Sequence, residues 1–166
     1  MREISQGSVS LKEEINSWRQ DGLRIVFTNG VFDVLHVGHL VVLEQAALEG
    51  DKLIVAINSD ASVRRLEKGE DRPINSDLDR GRLLMGLRCV DAVVIFDEDT
   101  PAEAIAQIHP DVLVKGGDYS ADCLDPNDSR YIVGSREILA RGGEVKVIPI
   151  LAGKSTTRLL ERIRSK

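Results

Sequence analysis

Two histidines three residues apart, His36 and His39, flank Gly38 at the end of the stretch running from Ile25 to His39. That stretch opens as a β-branched apolar run, breaks at Asn29-Gly30, and leads into an apolar periodic segment from Leu40 to Leu48. The order predicts a buried strand, a tight turn, and a helix whose first turn carries His36, Gly38 and His39. Helix N-termini present unpaired N–H groups and a partial positive charge, so this turn suits an anion such as a phosphate. Glycine at position 38 would let the backbone approach a ligand closely. The same spacing puts both imidazoles on one helical face, which also suits a metal ion. Zinc would want a third ligand, and no Cys or Glu stands at a familiar offset such as H-E-x-x-H. His109 precedes Pro110 in a connection and reads as structural or exposed.

Two common nucleotide signatures are excluded. A G-x-G-x-x-G fingerprint should follow the first long strand, but Asn29-Gly30-Val31-Phe32-Asp33 stands there. Gly153-Lys154-Ser155 resembles the tail of a P-loop, yet the earlier glycine position is Ile148 and the run follows the last strand.

The elements that must position these residues can be read in order. Ser10-Leu11-Lys12-Glu13 fits a capping box, and a first helix ends at Asp21-Gly22. Strands are expected at Leu23–Thr28, Lys52–Ile57, Asp91–Phe96, Asp111–Lys115 and Glu144–Ile150. A short helix should start near Ala61 and another at Ser76. Thr100-Pro101-Ala102-Glu103 reads as an N-cap with proline at the first helical position. Two more helices are expected from Arg130 to Ala140 and from Arg158 to Arg164, with loops at 68–76 and 120–129. Near-continuous apolar strands such as Leu53-Ile54-Val55-Ala56-Ile57 belong to sheets buried on both faces. The expected fold is therefore α/β: a single Rossmann-like domain over residues 1–166, with an open five-stranded parallel sheet and helices on both faces. Residues 1–22 are expected to form a helical extension to it. Ligands of such folds bind at the carboxyl ends of the strands, where four polar clusters fall. These are Thr28 to His39, Asn58 to Asp60, Lys115 to Tyr119, and Ser155 to Thr157.

The 166 residues carry a formal net charge of −5, which argues against a nucleic-acid partner but not against a nucleotide held in a cleft. Cys89 and Cys123 lie far apart and form no metal or redox pair. No apolar stretch approaches the ~20 residues of a membrane span, and the N-terminus lacks a signal-peptide core. The expectation is a soluble cytoplasmic protein without a membrane partner.

Asn29-Gly30-Val31-Phe32-Asp33-Val34-Leu35-His36-Val37-Gly38-His39 resembles the H-x-G-H signature of a nucleotidyltransferase superfamily, which includes cytidylyltransferases and pantetheine-phosphate adenylyltransferases. The resemblance is strongest to the ADP-heptose synthase branch, the D-glycero-β-D-manno-heptose 1-phosphate adenylyltransferases. It extends from Ile25 to Ile163 through Ile54 to Asp60, Arg72 to Asn75, Phe96 to Pro101, Val112 to Tyr119 and Ser155 to Thr157. It implies adenylyl transfer from ATP, with Mg2+, to a sugar 1-phosphate. It also implies catalytic roles for His36, His39 and Asp33, with His36 and His39 on the phosphates and Asp33 near the reacting phosphate or its metal. Asn29, Gly30, Val31, Phe32, Gly38, Gly117, Asp118, Ser155, Thr156 and Thr157 would hold the nucleotide. Asp60, Arg80 and Lys115 are further candidates for contacting substrate. Many members carry a fused sugar kinase; here the expectation is a separate kinase upstream, and a homodimer. Glycerol-3-phosphate cytidylyltransferases carry Arg-Thr before the serine-threonine turn, where this chain has Ile150-Leu151 ahead of Gly153. A cytidylyl donor, another acceptor such as glycerol 3-phosphate or flavin mononucleotide, and a silent nucleotide sensor are the alternatives.

Overall fold

The computed structural model describes residues 1–4, 9–66, 71–150, 153 and 156–165, and only the backbone of Thr157 and Arg164. The long strands are β2 (Ile25–Gly30), β3 (Lys52–Asn58), β4 (Ala92–Phe96), β5 (Val112–Gly116) and β6 (Glu144–Ile148), and β1 (Arg2–Ile4) precedes them. The helices are α1 (Leu11–Gln20), α2 (Val37–Ala47), α3 (Asp60–Arg65), α4 (Asp77–Met85), α5 (Ala102–Ile108), α6 (Ser135–Ala140) and α7 (Thr156–Arg164). The sheet order is β1-β4-β3-β2-β5-β6, parallel throughout except for β1.

Period-two alternation sorts each strand onto two faces. Ile25, Phe27, Ile54, Ala56, Val94 and Leu113 face one way, against Leu11 and Ile15 of α1, Ile105 and Ile108 of α5, and Ile138 of α6. Val26, Leu53, Val55, Ile57, Val93 and Val114 face the other, against Leu43 and Ala46 of α2 and Leu84 of α4. The inner strands β3 and β2, with β4 and most of β5, are thus buried on both sides, as their apolar runs imply.

The sheet has six strands where five were expected. The added strand is the antiparallel edge β1, whose three residues are too few to show any alternation. It is fixed by tertiary contacts instead. Arg2 pairs with Asp77 at 2.5 Å, and a Cβ on Gly81 would fall 2.0 Å from Ile4 Cδ1, so glycine at 81 lets the Ile4 side chain lie against α4 where it stands. Residues 1–22 are accordingly built into the body, with Leu11 and Ile15 buried.

Three helix starts also differ. Pro101, without a side-chain hydrogen bond, is the N-cap of α5 in place of Thr100. The expected Arg130 start moves to Ser135, because Asp128 captures the backbone N–H and guanidinium of Arg130, and Gly134 turns at φ 90°. The last helix begins at Thr156, two residues before Arg158.

The strand order reverses between β2 and β5, where connections leave to opposite faces. A crevice must open there at the carboxyl ends. The His36–His39 turn follows β2, on one lip of that crevice.

Candidate active site

The turn after β2 is held in an unusual backbone shape. Phe32 and the β-branched Val34 take positive φ values of 49° and 54° on either side of Asp33. Non-glycine residues pay about 1–3 kcal/mol each for such geometry, and it persists where the surroundings enforce it. Here the enforcement is visible. Asp33 is 1% exposed, and its carboxylate accepts the N–H of Ile74 at 2.9 Å and of Asn75 at 3.0 Å. Arg72 Nε lies 2.6 Å from the same carboxylate. The Asp33 carbonyl accepts the Thr156 hydroxyl at 3.0 Å, which fastens the start of α7 to the turn.

His36 is the N-cap of α2, and its Nδ1 accepts the Gly38 N–H at 3.0 Å. That bond puts the proton of the neutral ring on Nε2. The His39 ring stacks on His36 at 3.9 Å with 18° between planes, and tilts against Phe32 at 5.3 Å. Burial first, then the nearby His36 and Arg72, push the His39 pKa down to about 4, with Asp33 acting weakly in the opposite direction. His39 is therefore neutral at physiological pH. Its Nδ1 is buried with no hydrogen-bond partner among the described residues. Buried polar atoms are rarely left unmatched, and a ligand site is one of the few reasons.

A cavity of about 280 Å3 opens beside the two rings. Residues Thr28 to Phe32, His36, Gly38 and His39 form one wall, and Lys115, Gly116, Tyr119, Ile150 and Thr156 the other. Val42, one turn beyond His39 on α2, forms its floor with Gly116, where a Cβ would stand 2.9 Å from Val42. The apolar Val42 and Ile150 carry no chemical signature in the sequence; only the i, i+3 relation of Val42 to His39 hints at its place. Lys115 Nζ donates to both the carbonyl and Oδ1 of Asn29 at 3.0 Å, and sits 5.4 Å above the Tyr119 ring. This ties β5 to β2 across the crevice.

Of the residues expected at the site, Asn29, Gly30, Val31, Phe32, His36, Gly38, His39, Lys115 and Thr156 line this cavity together. Gly117 and the exposed Asp118 follow Gly116 in sequence but are not among the residues lining the cavity. Ser155 lies outside the described residues, and only the backbone of Thr157 is described. Arg80 and Asp60 are directed elsewhere. Arg80 is fully buried and donates to the carbonyls of Asn75, Val31 and Asn58 and to Asp60 Oδ1. It is an internal brace that joins the turn, β3 and the 72–76 segment.

The residues at Asp33 do not fit a metal ion held by the protein. Both carboxylate oxygens are engaged by N–H donors, with Arg72 against one of them. Among the described residues no cluster of three or more His, Cys, Asp or Glu side chains could hold a metal. No described helix is long and apolar enough to cross a membrane.

Comparison with known proteins agrees with this architecture. A protein described as bifunctional protein HldE from Koribacter versatilis is 53% identical over 152 residues, covering 92% of this chain and 29% of its own. Its namesake from Nitrobacter hamburgensis is 51% identical over 159 residues, covering 96% and 31%. This chain thus spans about three tenths of the length of these relatives. Among solved structures, a lipopolysaccharide core biosynthesis protein from Thermoplasma volcanium is 27% identical with a TM-score of 0.59, covering 78% of this chain and 98% of that one. Pantothenate synthetase from Thermus thermophilus shares the fold at a TM-score of 0.50 and 17% identity, covering 86% and 60%. The cytidylyltransferase-like family matches residues 27–162, from the middle of β2 into α7 and so across the whole crevice, and the chain belongs to that family of nucleotidyltransferases.

Proposed function

We propose that the protein transfers the adenylyl group of ATP to heptose 1-phosphate, giving ADP-heptose and pyrophosphate for surface-glycan synthesis. The observation that carries this reading is the stacked His36–His39 pair on the wall of a cavity shared with Lys115, Tyr119 and Thr156. The kinship with HldE relatives and the likeness to a lipopolysaccharide core biosynthesis protein support the sugar phosphate as acceptor.

The reaction joins an acceptor phosphate oxygen to the α-phosphorus of ATP while the bond to pyrophosphate breaks. A phosphomonoester is largely dianionic near pH 7, since its second pKa is about 6, so the nucleophile needs no general base. The protein's task is to align two anions and to stabilise charge moving onto the bridging and leaving oxygens. His36 suits this as an oriented Nε2–H donor, because Gly38 occupies its other nitrogen. His39, held neutral, is likewise a dipole of fixed direction and not a titrating base. The apolar part of the cavity, Val42 and Ile150 with the Tyr119 ring, offers a surface for a base or sugar face. Magnesium enters as part of the substrate, carried on the ATP phosphates, in keeping with its preference for phosphate oxygens and water. Asp118, Ser155, Thr156 and Thr157 would complete the nucleotide contacts. On this reading the protein works in the cytoplasm, on the product of a sugar kinase.

Pyrophosphate release measured with ATP or CTP against a panel of phosphate acceptors tests the proposal. Turnover should require ATP and be greatest with heptose 1-phosphate. Turnover with CTP and glycerol 3-phosphate instead, or with no acceptor tried, would refute it.

A further inference from the structure

The proposed reaction brings a triphosphate and a phosphomonoester together, yet much of the charge near the turn is already committed. Arg80 is fully buried and makes four hydrogen bonds to protein oxygens. Lys115 donates twice to Asn29. His39 is neutral. Phosphoryl-type transfers depend on cations or strong donors around the spreading negative charge.

Arg72 stands apart from the others. Its side chain is 13% exposed, unusually low for an arginine, and its Nε lies 2.6 Å from Asp33 Oδ2. Its Nη1 and Nη2 make no hydrogen bond among the described residues. A guanidinium carries five N–H donors in a planar fork, and Nε, although 2.6 Å from Asp33 Oδ2, is buried without a hydrogen-bond partner among the described residues. The charge is close enough to His39 to lower that ring's proton affinity. Asp33 is itself immobilised by the N–H groups of Ile74 and Asn75, and it holds Thr156 through its carbonyl. One buried carboxylate therefore fixes Arg72, the His36–His39 turn and the start of α7 relative to one another.

The geometry points to Arg72 as a further phosphate-binding residue of this site, with Asp33 as the positioning residue that holds its guanidinium beside His39. The Nη edge takes phosphate oxygens in the way that bidentate arginines bind phosphate. This rests on the nucleotidyl-transfer reading, but it concerns binding and can be measured without turnover. It also gives Asp33 a role other than holding metal.

Calorimetric titration of inorganic pyrophosphate and of ATP into the whole chain and its variants provides the test. Asp33→Asn removes the buried charge that needs a counterion while keeping the side-chain shape. The Asp33→Asn, Arg72→Met double variant should bind pyrophosphate at least about tenfold more weakly than the parent, as expected for loss of a charge-assisted contact. Parental affinity in the double variant would mean that Arg72 is only the counterion of Asp33, and would overturn the proposal. Arg72→Lys provides a second measurement, because it preserves the charge opposite Asp33 but not the planar fork. It should bind pyrophosphate about threefold or more weakly at an unchanged melting temperature. Undiminished affinity there would equally overturn the proposal. A parent chain that binds neither ATP nor pyrophosphate would instead remove the nucleotidyl-transfer reading itself.

Discussion

Mild acid should destabilise this protein through one imidazole. His39 is held to a pKa of about 4 in the fold, against 6.5 for the free group, with burial the largest cause and His36 and Arg72 following. The unfolded chain therefore takes up the proton first as pH falls. Stability contributed by the neutral ring is complete above about pH 6.5 and is lost progressively toward pH 4. The full shift corresponds to about 3 kcal/mol, of which about 2 kcal/mol would be gone by pH 5. Solvent screening of a half-buried ring reduces the expectation to about 1–2 kcal/mol at that pH. The upper window is clean of the strongly depressed carboxylates. Glu144 is held at about 2 by Lys146 and Arg24, and Asp77 is held low mainly by Arg2, against the opposing effect of burial. As groups with lowered pKa they lose their contribution only in more acidic solution. Denaturant unfolding at about pH 7 and about pH 5, for the parent and for His39→Gln, measures the difference. The parent should lose about 1–2 kcal/mol more than the variant, whose residue 39 takes no proton. Equal losses, or a His39 ring resonance that titrates near 6.5, would refute the reasoning that burial and neighbouring charge keep this ring neutral.

His36→Asn should retain the cap on α2, since asparagine is a good N-cap, and so leave stability within about 1 kcal/mol of the parent. The same change should reduce pyrophosphate release by about 10²–10³, the usual consequence of losing one oriented donor; near-parental turnover would separate His36 from the reaction. Arg80→Met should cost about 3–5 kcal/mol in denaturant unfolding, because three buried carbonyls and Asp60 lose their donor together. A loss under about 1 kcal/mol would show that the brace contributes little.

The parts of this architecture that rest on local chemistry are legible in the chain. Leu53 to Ile57 reads as a strand buried on both faces because nothing polar interrupts it, and it lies at the centre of the sheet. The turn at His36 to His39 announces itself through a strand, Asn-Gly and a glycine between two imidazoles. Contacts set by distant packing are different. Asp33 meets the backbone of Ile74 and Asn75 across 41 and 42 positions, and no spacing rule joins them. Arg80 near the start of a helix could face a ligand or the interior with the same local sequence. Its burial depends on carbonyls delivered by Val31, Asn58 and Asn75 from three separate segments. The strand at Arg2–Ile4 is likewise a product of Gly81 and Asp77, some 75 positions away from it.

The placement of charge follows a physical logic. A cleft lined with exposed cations would hold ATP and pyrophosphate alike, and uniform binding of that kind deepens the ground state without speeding the chemistry. Here the fully buried cation, Arg80, shapes the backbone, Arg72 is mostly buried against Asp33, and His39, one of the rings lining the cavity, is kept neutral by its surroundings. Fixed neutral donors interact most strongly where negative charge accumulates, which is at the transition state and on the departing pyrophosphate. The strained turn then has a reason. Phe32 and Val34 take positive φ on either side of Asp33, whose carboxylate meets Ile74, Asn75 and Arg72, while His36 and His39 a few residues on line the cavity. The backbone cost of about 1–3 kcal/mol at each is therefore part of positioning the donors.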